Sequence, residues 1–205
     1  MLIKISRQNA INKFPALPLR QYNLKEEDYD FYYPKVFANY ILTLPAKSYK
    51  GYFKLMGTAI NDLKTHLGFD KLIFLGDEKT AWLYRDHDYK PVKEALQYLA
   101  NNKIGKRFNG AIQVDNTALP VFIQQLCWLV RCNAVLPYIY FIDPEQNIIG
   151  NICQYGNLHI STRTKMADNR FKAAISKSKF EYLSDGNCYN RFSKSNTVKG
   201  RQILV

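Results

Sequence analysis

Four aspartates, each placed where a predicted strand ends, are residues that could hold a metal ion. They are Asp77, Asp86, Asp115 and Asp143. Carboxylates clustered at strand ends hold Mg²⁺ in many phosphoryl-transfer sites, because Mg²⁺ prefers oxygen ligands and keeps several waters. A Mg²⁺-dependent, nuclease-like enzyme is therefore one hypothesis, and it requires these carboxylates to converge in space.

The same aspartates also have a structural interpretation, which we favour. Aspartate commonly ends strands and forms turns, Asp115 is placed to start the helix after it, and Asp143-Pro144 is typical of a turn. The sequence contains no phosphate-binding loop, Rossmann glycine pattern, H-E-x-x-H or G-x-S-x-G motif. We therefore assign no catalytic residue and expect no cofactor.

Cys153 and His159 could act together as a thiolate nucleophile and its base. The intervening Gly156-Asn157 is typical of a two-residue hairpin loop, which would pair Cys153 with Ile160. Because side chains alternate between the faces of a sheet, this register places the thiol and the imidazole on opposite faces. The sequence therefore predicts that Cys153 belongs to the apolar core and that the dyad does not form.

On the more polar face of the same predicted hairpin, three residues are candidates for lining a pocket. They are Gln154, His159 and Ser161. Histidine can act as a switch or an acid-base group near neutral pH, although a strand histidine more often makes an ordinary hydrogen bond.

The C-terminal fifth of the chain is strongly basic, with ten Lys or Arg against three acids in residues 161–205. Aromatic residues lie between these cations. Lys and Arg neutralise phosphates, and exposed aromatic rings stack on bases, so the mixture suits single-stranded nucleic acid. The candidate binding residues are Arg163, Lys165, Arg170, Lys172, Lys177, Lys179, Arg191 and Lys194, and the interleaved aromatic residues include Phe171, Phe180 and Tyr182.

Composition and charge set the outer limits of the interpretation. The 205 residues are 47% hydrophobic and 22% charged, which is typical of a folded protein and excludes a disordered or collagen-like chain. Their net charge of +12 favours an anionic partner. The longest apolar stretch, residues 119–142, is broken by polar residues and prolines, so we expect no membrane-spanning helix.

Cysteine usage indicates a reducing compartment. The four cysteines, Cys127, Cys132, Cys153 and Cys188, are spaced too widely for a C-x-x-C metal knuckle, and no apolar signal segment precedes them. The sequence therefore predicts reduced thiols in a cytoplasmic protein.

The elements that must position these residues alternate between helices and strands, which predicts an α+β fold. We expect a mixed or antiparallel sheet with a C-terminal meander, packed by helices, in one domain over residues 1–205. Its parts are a mainly helical portion (1–68), a strand-rich core (69–162) and a basic helix with a tail (163–205). The predicted helices are Lys25–Tyr33, one within Lys47–Leu67, one starting near Pro91, one following Thr117 and Lys165–Lys179; the predicted strands are Lys71–Leu75, Thr80–Arg85, Ala111–Val114, Tyr138–Ile142, Ile148–Tyr155 and Leu158–Thr162.

Three functional hypotheses follow from the sequence. The first is a non-enzymatic protein that binds a polyanion through the basic C-terminal segment, with nucleic acid slightly favoured over an acidic protein. The second is an immunity or inhibitor protein that masks one partner, such as a toxin, through an aromatic surface. The third is the Mg²⁺-dependent enzyme, which depends on the four aspartates.

Overall fold

The structure, a computed structural model, describes residues 1–83, 86–132, 136, 138–183 and 188. Within these residues, helices and strands follow one another along the chain. Their order is β1 (Leu2–Ile5), α1 (Arg7–Lys13), β2 (Leu19–Asn23), β3 (Asp28–Tyr32), β4 (Ala38–Thr43), α2 (Tyr49–Leu67), β5 (Lys71–Leu75), α3 (Lys90–Asn101), β6 (Ala111–Asp115), α4 (Leu119–Cys132), β7 (Tyr140–Ile142), β8 (Ile148–Ile152), β9 (Leu158–Thr162), α5 (Lys165–Ile175) and β10 (Glu181–Tyr182).

Eight strands form one antiparallel sheet in the order β1-β6-β5-β7-β8-β9-β4-β10. Strands β2 and β3 form a separate hairpin. The predicted α+β class is confirmed, and the predicted meander is present as β7, β8 and β9. None of the described helices is long and apolar enough to cross a membrane.

The two faces of the sheet are covered differently. Helices α2, α3, α4 and α5 pack on one face and bury the larger apolar core. The opposite face is covered over part of its width by α1 and the segment after it, where Phe14 and Leu17 pack against Ile73, Ile142 and Ile149. The N-terminal segment does not extend over β8, β9 and β4 along their whole length. Polar side chains of these strands therefore line that part of the face.

Helix α2 confirms the strongest periodic pattern in the sequence. Apolar residues recur along it at spacings of three and four, and all are buried except the half-buried Tyr49: Tyr49, Phe53, Met56, Ile60, Leu63 and Leu67. Ser48 caps the first turn by accepting a hydrogen bond from the Gly51 amide. Gly68 ends the helix with a φ of 82°, a left-handed conformation that glycine adopts without a steric penalty.

The helix predicted over Lys25–Tyr33 is wrong, because this segment forms the turn and second strand of the β2–β3 hairpin. Aromatic residues are numerous here, and they favour the pleated surface of a strand. Asn23 does not cap a helix; its side chain accepts a hydrogen bond from the Lys25 amide and so stabilises the turn. Residues 1–68 consequently contain four strands as well as two helices.

The strand predicted over Thr80–Arg85 is also wrong in its described part, and it does not pair with Lys71–Leu75. Strand β5 pairs with β6 and β7 instead, and residues 80–83 contain no strand. Trp82 is buried there, where its indole donates a hydrogen bond to the Gly110 carbonyl. Tyr84 and Arg85 lie outside the described residues.

Helices α2 and α4 cross at Gly57, where the missing side chain permits a close backbone approach. A Cβ atom at this position would lie 2.2 Å from the Pro120 carbonyl oxygen. No side chain can rotate to relieve this overlap, because the contacted atom belongs to the backbone. The crossing therefore requires glycine.

We expect Gly57→Ala to lower the free energy of unfolding by about 2 kcal/mol, the usual range for an overpacked core. A decrease in stability would be informative, because replacing glycine by alanine within a helix otherwise raises the stability by about 1 kcal/mol. Urea denaturation measures the difference. Gly105→Ala is the control, since nothing lies within 4 Å of its added Cβ; equal stabilities of the two variants would contradict the proposed close crossing.

Candidate functional site

The four aspartates do not converge, and antiparallel pairing is the reason. In the strand register, Lys71 at the start of β5 lies opposite Asp115 on β6, and Ile73 lies opposite Ile142 on β7. Asp115 and Asp143 therefore lie near the same end of the strands. Asp77 follows the other end of β5, a strand about 16 Å long at about 3.3 Å per residue. Strands β6 and β7 both run antiparallel to β5, so their C-terminal ends lie at the other end of the strands from the C-terminal end of β5.

Each of these aspartates has a local structural partner or position instead. Asp77 pairs with Arg20 at 3.3 Å. Asp115 accepts hydrogen bonds from the backbone amides of residues 117 and 118 and so caps α4. Asp143 is buried and accepts two backbone hydrogen bonds within the β7–β8 turn. Asp86 is exposed in the loop before α3.

Among the described residues, no group of three metal-ligating side chains includes any of the four aspartates. The Mg²⁺-dependent enzyme hypothesis required such a group. The structural interpretation of Asp77, Asp115 and Asp143 as turn and cap residues accounts for their contacts.

The predicted basic segment divides into exposed cations and buried aromatic rings. Helix α5 buries Ala167, Phe171, Ala174 and Ile175 against the sheet and α2, as its periodicity predicted. The six predicted cations in the described part are all exposed: Arg163, Lys165, Arg170, Lys172, Lys177 and Lys179. The helix ends at Ile175, so Lys177 and Lys179 lie in the turn after it; Arg191 and Lys194 lie outside the described residues.

One of these cations, Lys172, forms an ion pair with a buried aspartate. Lys172 forms a 2.8 Å ion pair with Asp168, which also accepts hydrogen bonds from the hydroxyls of Tyr40 and Thr162. Burial acts to raise the pKa of Asp168, but the hydrogen bonds from Lys172, Tyr40 and Thr162 outweigh it and the pKa is lowered. Lys172 is therefore part of the attachment of α5 to the sheet.

The remaining cations have no acidic partner among the described residues. Arg163 donates to the Gln146 carbonyl and Arg170 to the Leu67 carbonyl. Lys165, Lys177 and Lys179 form no ion pair with any described residue. These five side chains are available to an anionic ligand.

The interleaved aromatic residues do not lie beside them as base-stacking platforms. Phe171 and Phe180 are buried in the core, and only Tyr182 of the described set is exposed. The exposed aromatic residues lie mainly on and after the β2–β3 hairpin, a region that sequence reasoning assigned to a helix. They are Tyr29, Phe31, Tyr32, Tyr33 and Phe37. Their run of alternating polar and aromatic residues was the available signal for a strand.

The β8–β9 hairpin has a different register from the predicted one. Ile152 pairs with Leu158 and Asn151 with His159. The Cys153 amide donates to the Asn157 carbonyl, which leaves residues 154–156 as the loop. Gly156 adopts a φ of 86°, and its amide donates to the Cys153 carbonyl, which is the geometry of a three-residue hairpin loop with a bulge.

This register overturns the argument against the Cys153 and His159 pair. Cys153 lies opposite Asn157, and Asn151 lies opposite His159. Cys153 is two residues from Asn151, and Asn157 is two residues from His159, so all four side chains lie on the same face of the sheet. Cys153 is half-buried beside that face and not in the apolar core. Ile152, the residue before Cys153, faces the helix-covered core.

A second cysteine joins this pair from the C-terminal segment. The sulfur atoms of Cys153 and Cys188 lie 3.1 Å apart, and the side-chain amide of Asn157 donates to the Cys188 sulfur at 3.0 Å. One ligand atom from each of Cys153, His159 and Cys188 lies within 4.8 Å of the other two. The cysteine spacing in the sequence excluded only a local C-x-x-C site. It could not reveal this cluster, because the tertiary fold brings the three residues together.

The two thiols have opposite acidities. The hydrogen bond from Cys153 holds the pKa of Cys188 well below its usual value, and His159 and Asn157 act in the same direction. The same hydrogen bond, together with burial, raises the pKa of Cys153. Of the two thiols, Cys188 is the more acidic.

Two of the three predicted pocket residues line a cleft of about 480 Å³ beside this cluster. His159 and Ser161 lie on its floor, and the Ser161 hydroxyl is within hydrogen-bond distance of both Asn39 and Tyr33. Gln154 does not line the cleft; its carbonyl accepts a hydrogen bond from Arg131. Burial raises the pKa of Tyr33, so its phenol stays neutral at physiological pH.

The lowered pKa of Cys188 predicts selective alkylation in the reduced, metal-free protein. We expect iodoacetamide to modify Cys188 faster than Cys127 at pH 7, because Cys127 is fully buried and burial raises its pKa. The rate at Cys188 should reach its plateau below pH 7, since a lowered pKa leaves the thiolate dominant above it. Peptide mass mapping across a pH series measures both rates.

Cys153→Ala is the informative variant, because it removes the main hydrogen bond to the thiolate. It should move the midpoint at Cys188 upward, toward the ordinary thiol value of about 8.5. A midpoint near that ordinary value in the unaltered protein would contradict the assignment.

Comparison with known proteins finds no matching protein-family model, no matching curated protein and no matching solved structure. What the chain does is therefore inferred from its own surfaces and side-chain chemistry.

Proposed function

We propose that the protein binds nucleic acid through a basic surface on and beside α5. The basic surface consists of Arg163, Lys165, Arg170, Lys177 and Lys179, which are exposed and have no acidic partner among the described residues. That observation carries the proposal. Between residues 163 and 183 the sequence has six cations against two acids, and one of those acids, Asp168, is buried and already paired with Lys172.

Phosphate groups are the part of a nucleic acid that such a surface recognises. Lysine and arginine displace the counterions condensed on the phosphate backbone, which makes the affinity fall steeply with salt. With Phe171 and Phe180 buried, base stacking has little support at α5 itself. We therefore infer binding that depends on phosphates and discriminates weakly between base sequences.

The exposed Phe37 is the aromatic side chain that the backbone places at the end of this surface. Its amide donates a hydrogen bond to the Thr162 carbonyl, so it lies next to the start of the basic surface at Arg163. An exposed ring beside a row of cations favours single-stranded over double-stranded nucleic acid, because only unpaired bases present their faces for stacking.

The double variant Lys177→Glu/Lys179→Glu tests the proposal. Both side chains are exposed and outside the helix, so the substitutions leave its packing intact. We expect about tenfold weaker binding of a fluorescently labelled oligonucleotide, measured by anisotropy. The dependence of log affinity on log salt should become shallower by roughly 1.5, the loss of two phosphate contacts.

The matched control is Lys93→Glu/Lys106→Glu, which changes the net charge equally. Lys93 lies on α3, which packs on α4 and is separated from α5 by α4 and α2. If both double variants weaken binding equally, the effect is one of total charge and the basic surface is not the site. Absence of oligonucleotide binding by the unaltered protein at low salt would contradict the proposal as a whole.

One observation favours the second candidate, an inhibitor or immunity protein. The β2–β3 hairpin exposes Phe31 and Tyr32, each about half accessible, together with Leu24 at its turn. Exposed aromatic residues are typical anchors of protein interfaces. A protein partner held through this surface would resist high salt and nuclease treatment, and Tyr32→Ala would weaken the complex.

A further inference from the structure

Three side chains that bind soft metal ions meet beside the open face of the sheet. The sulfur atoms of Cys153 and Cys188 and an imidazole nitrogen of His159 all lie within 4.8 Å of one another. This is the one group of three or more metal-ligating side chains found in the described part of the chain. Its members are half-buried, which leaves a path for an ion to enter.

Two of the three side chains are held by one rigid hairpin. His159 lies within β9, which is paired on both sides, with β8 and with β4. Cys153 is fixed at the end of β8 by its backbone hydrogen bond to Asn157 and by the loop at Gly156. Because the hairpin sets the separation of thiol and imidazole, these two ligands need little rearrangement to bind an ion.

We propose that Cys153, His159 and Cys188 form a binding site for a divalent transition metal ion of the Zn²⁺ type. Two sulfurs and one imidazole are the ligands that such ions prefer, whereas Mg²⁺ and Ca²⁺ prefer oxygen. In a tetrahedral zinc site with metal–sulfur bonds of about 2.3 Å, ligand atoms lie roughly 3.3 to 3.8 Å apart. The three ligand atoms reach that spacing by small side-chain movements.

The surroundings of the ligands match those of a metal site. Asn157 is almost fully buried and donates its side-chain amide to the Cys188 sulfur at 3.0 Å, which orients that sulfur toward Cys153. Such outer hydrogen bonds commonly orient metal ligands. The Nε2 atom of His159 is buried and has no hydrogen-bond partner among the described residues. A coordination bond would satisfy an imidazole that the protein otherwise leaves incompletely paired.

Binding would exchange thiol protons for the ion. The two sulfurs lie 3.1 Å apart, and an ion that binds both as thiolates releases their thiol protons to solvent. Three protein ligands leave one position of a tetrahedral ion for water or another ligand. His159 also lines the 480 Å³ cleft, so that position is next to the cleft.

Cobalt(II) titration of the full chain tests the proposal. The protein is used reduced and free of any affinity tag, and Co²⁺ serves as the probe because tetrahedral thiolate ligation gives it intense visible and charge-transfer absorption. We expect one ion per chain, displacement of Co²⁺ by Zn²⁺, and a rise in Tm with Zn²⁺. Cys153→Ser, Cys188→Ser and His159→Asn should each weaken binding by at least about tenfold.

The matched control is Cys127→Ala, which removes a buried cysteine far from the cluster in sequence and leaves the three ligands in place. It should retain the cobalt spectrum and the affinity. Because a variant could fail to fold, circular dichroism and the Tm without metal are recorded for each; only the metal-induced rise in Tm should be lost in the ligand variants.

Two results would overturn the proposal. One is the lack of thiolate charge-transfer absorption in the unaltered protein. The other is an unchanged affinity in the Cys153 and Cys188 variants. Reversible formation of a Cys153–Cys188 disulfide, found together with the first result, would identify a redox pair in place of the metal site. None of these results bears on oligonucleotide binding at the basic surface, so the two proposals stand or fall separately.

Discussion

The pairing of β9 with β8 on one side and β4 on the other is the constraint on which the cluster of Cys153, His159 and Cys188 and the neighbouring cleft depend. Alternation along β9 sends Leu158 and Ile160 into the helix-covered core and His159 and Ser161 to the opposite face. The three-residue loop at Gly156 then decides which face receives Cys153. A loop of two residues would reverse that placement, because a shift of register by an odd number of residues exchanges the faces.

The unequal cover of the second sheet face explains why polar chemistry collects at one end of it. The N-terminal segment buries apolar residues such as Ile73 and Ile142 there. Beyond that cover, Asn39, Asn151 and His159 line a cleft without acidic side chains. Asn39 at this position stays in contact with solvent, whereas the Nε2 atom of His159 is buried without a hydrogen-bond partner among the described residues, which costs free energy unless a ligand satisfies it.

Helix α5 separates the two proposed binding surfaces. Its apolar side and the buried Asp168, which binds Tyr40, Thr162 and Lys172, hold the helix against the sheet. The remaining cations on and beside the helix are exposed, and they make up the proposed basic surface. The thiol and imidazole cluster lies by the opposite sheet face, so a polyanion and a metal ion would not compete for the same atoms.

Local patterns in the sequence were sufficient for α2, for the inward face of α5, for the meander and for the excess of positive charge. These features depend on helical or strand periodicity, on caps such as Ser48 and Gly68, or on composition, all of which are properties of neighbouring residues. The tertiary structure alone decided the register at Cys153, the arrival of Cys188 from 35 residues away and the dispersal of the four aspartates. The register and the dispersal depend on which strands pair and in which direction, and the arrival of Cys188 depends on a contact between segments distant in sequence; no local pattern encodes either.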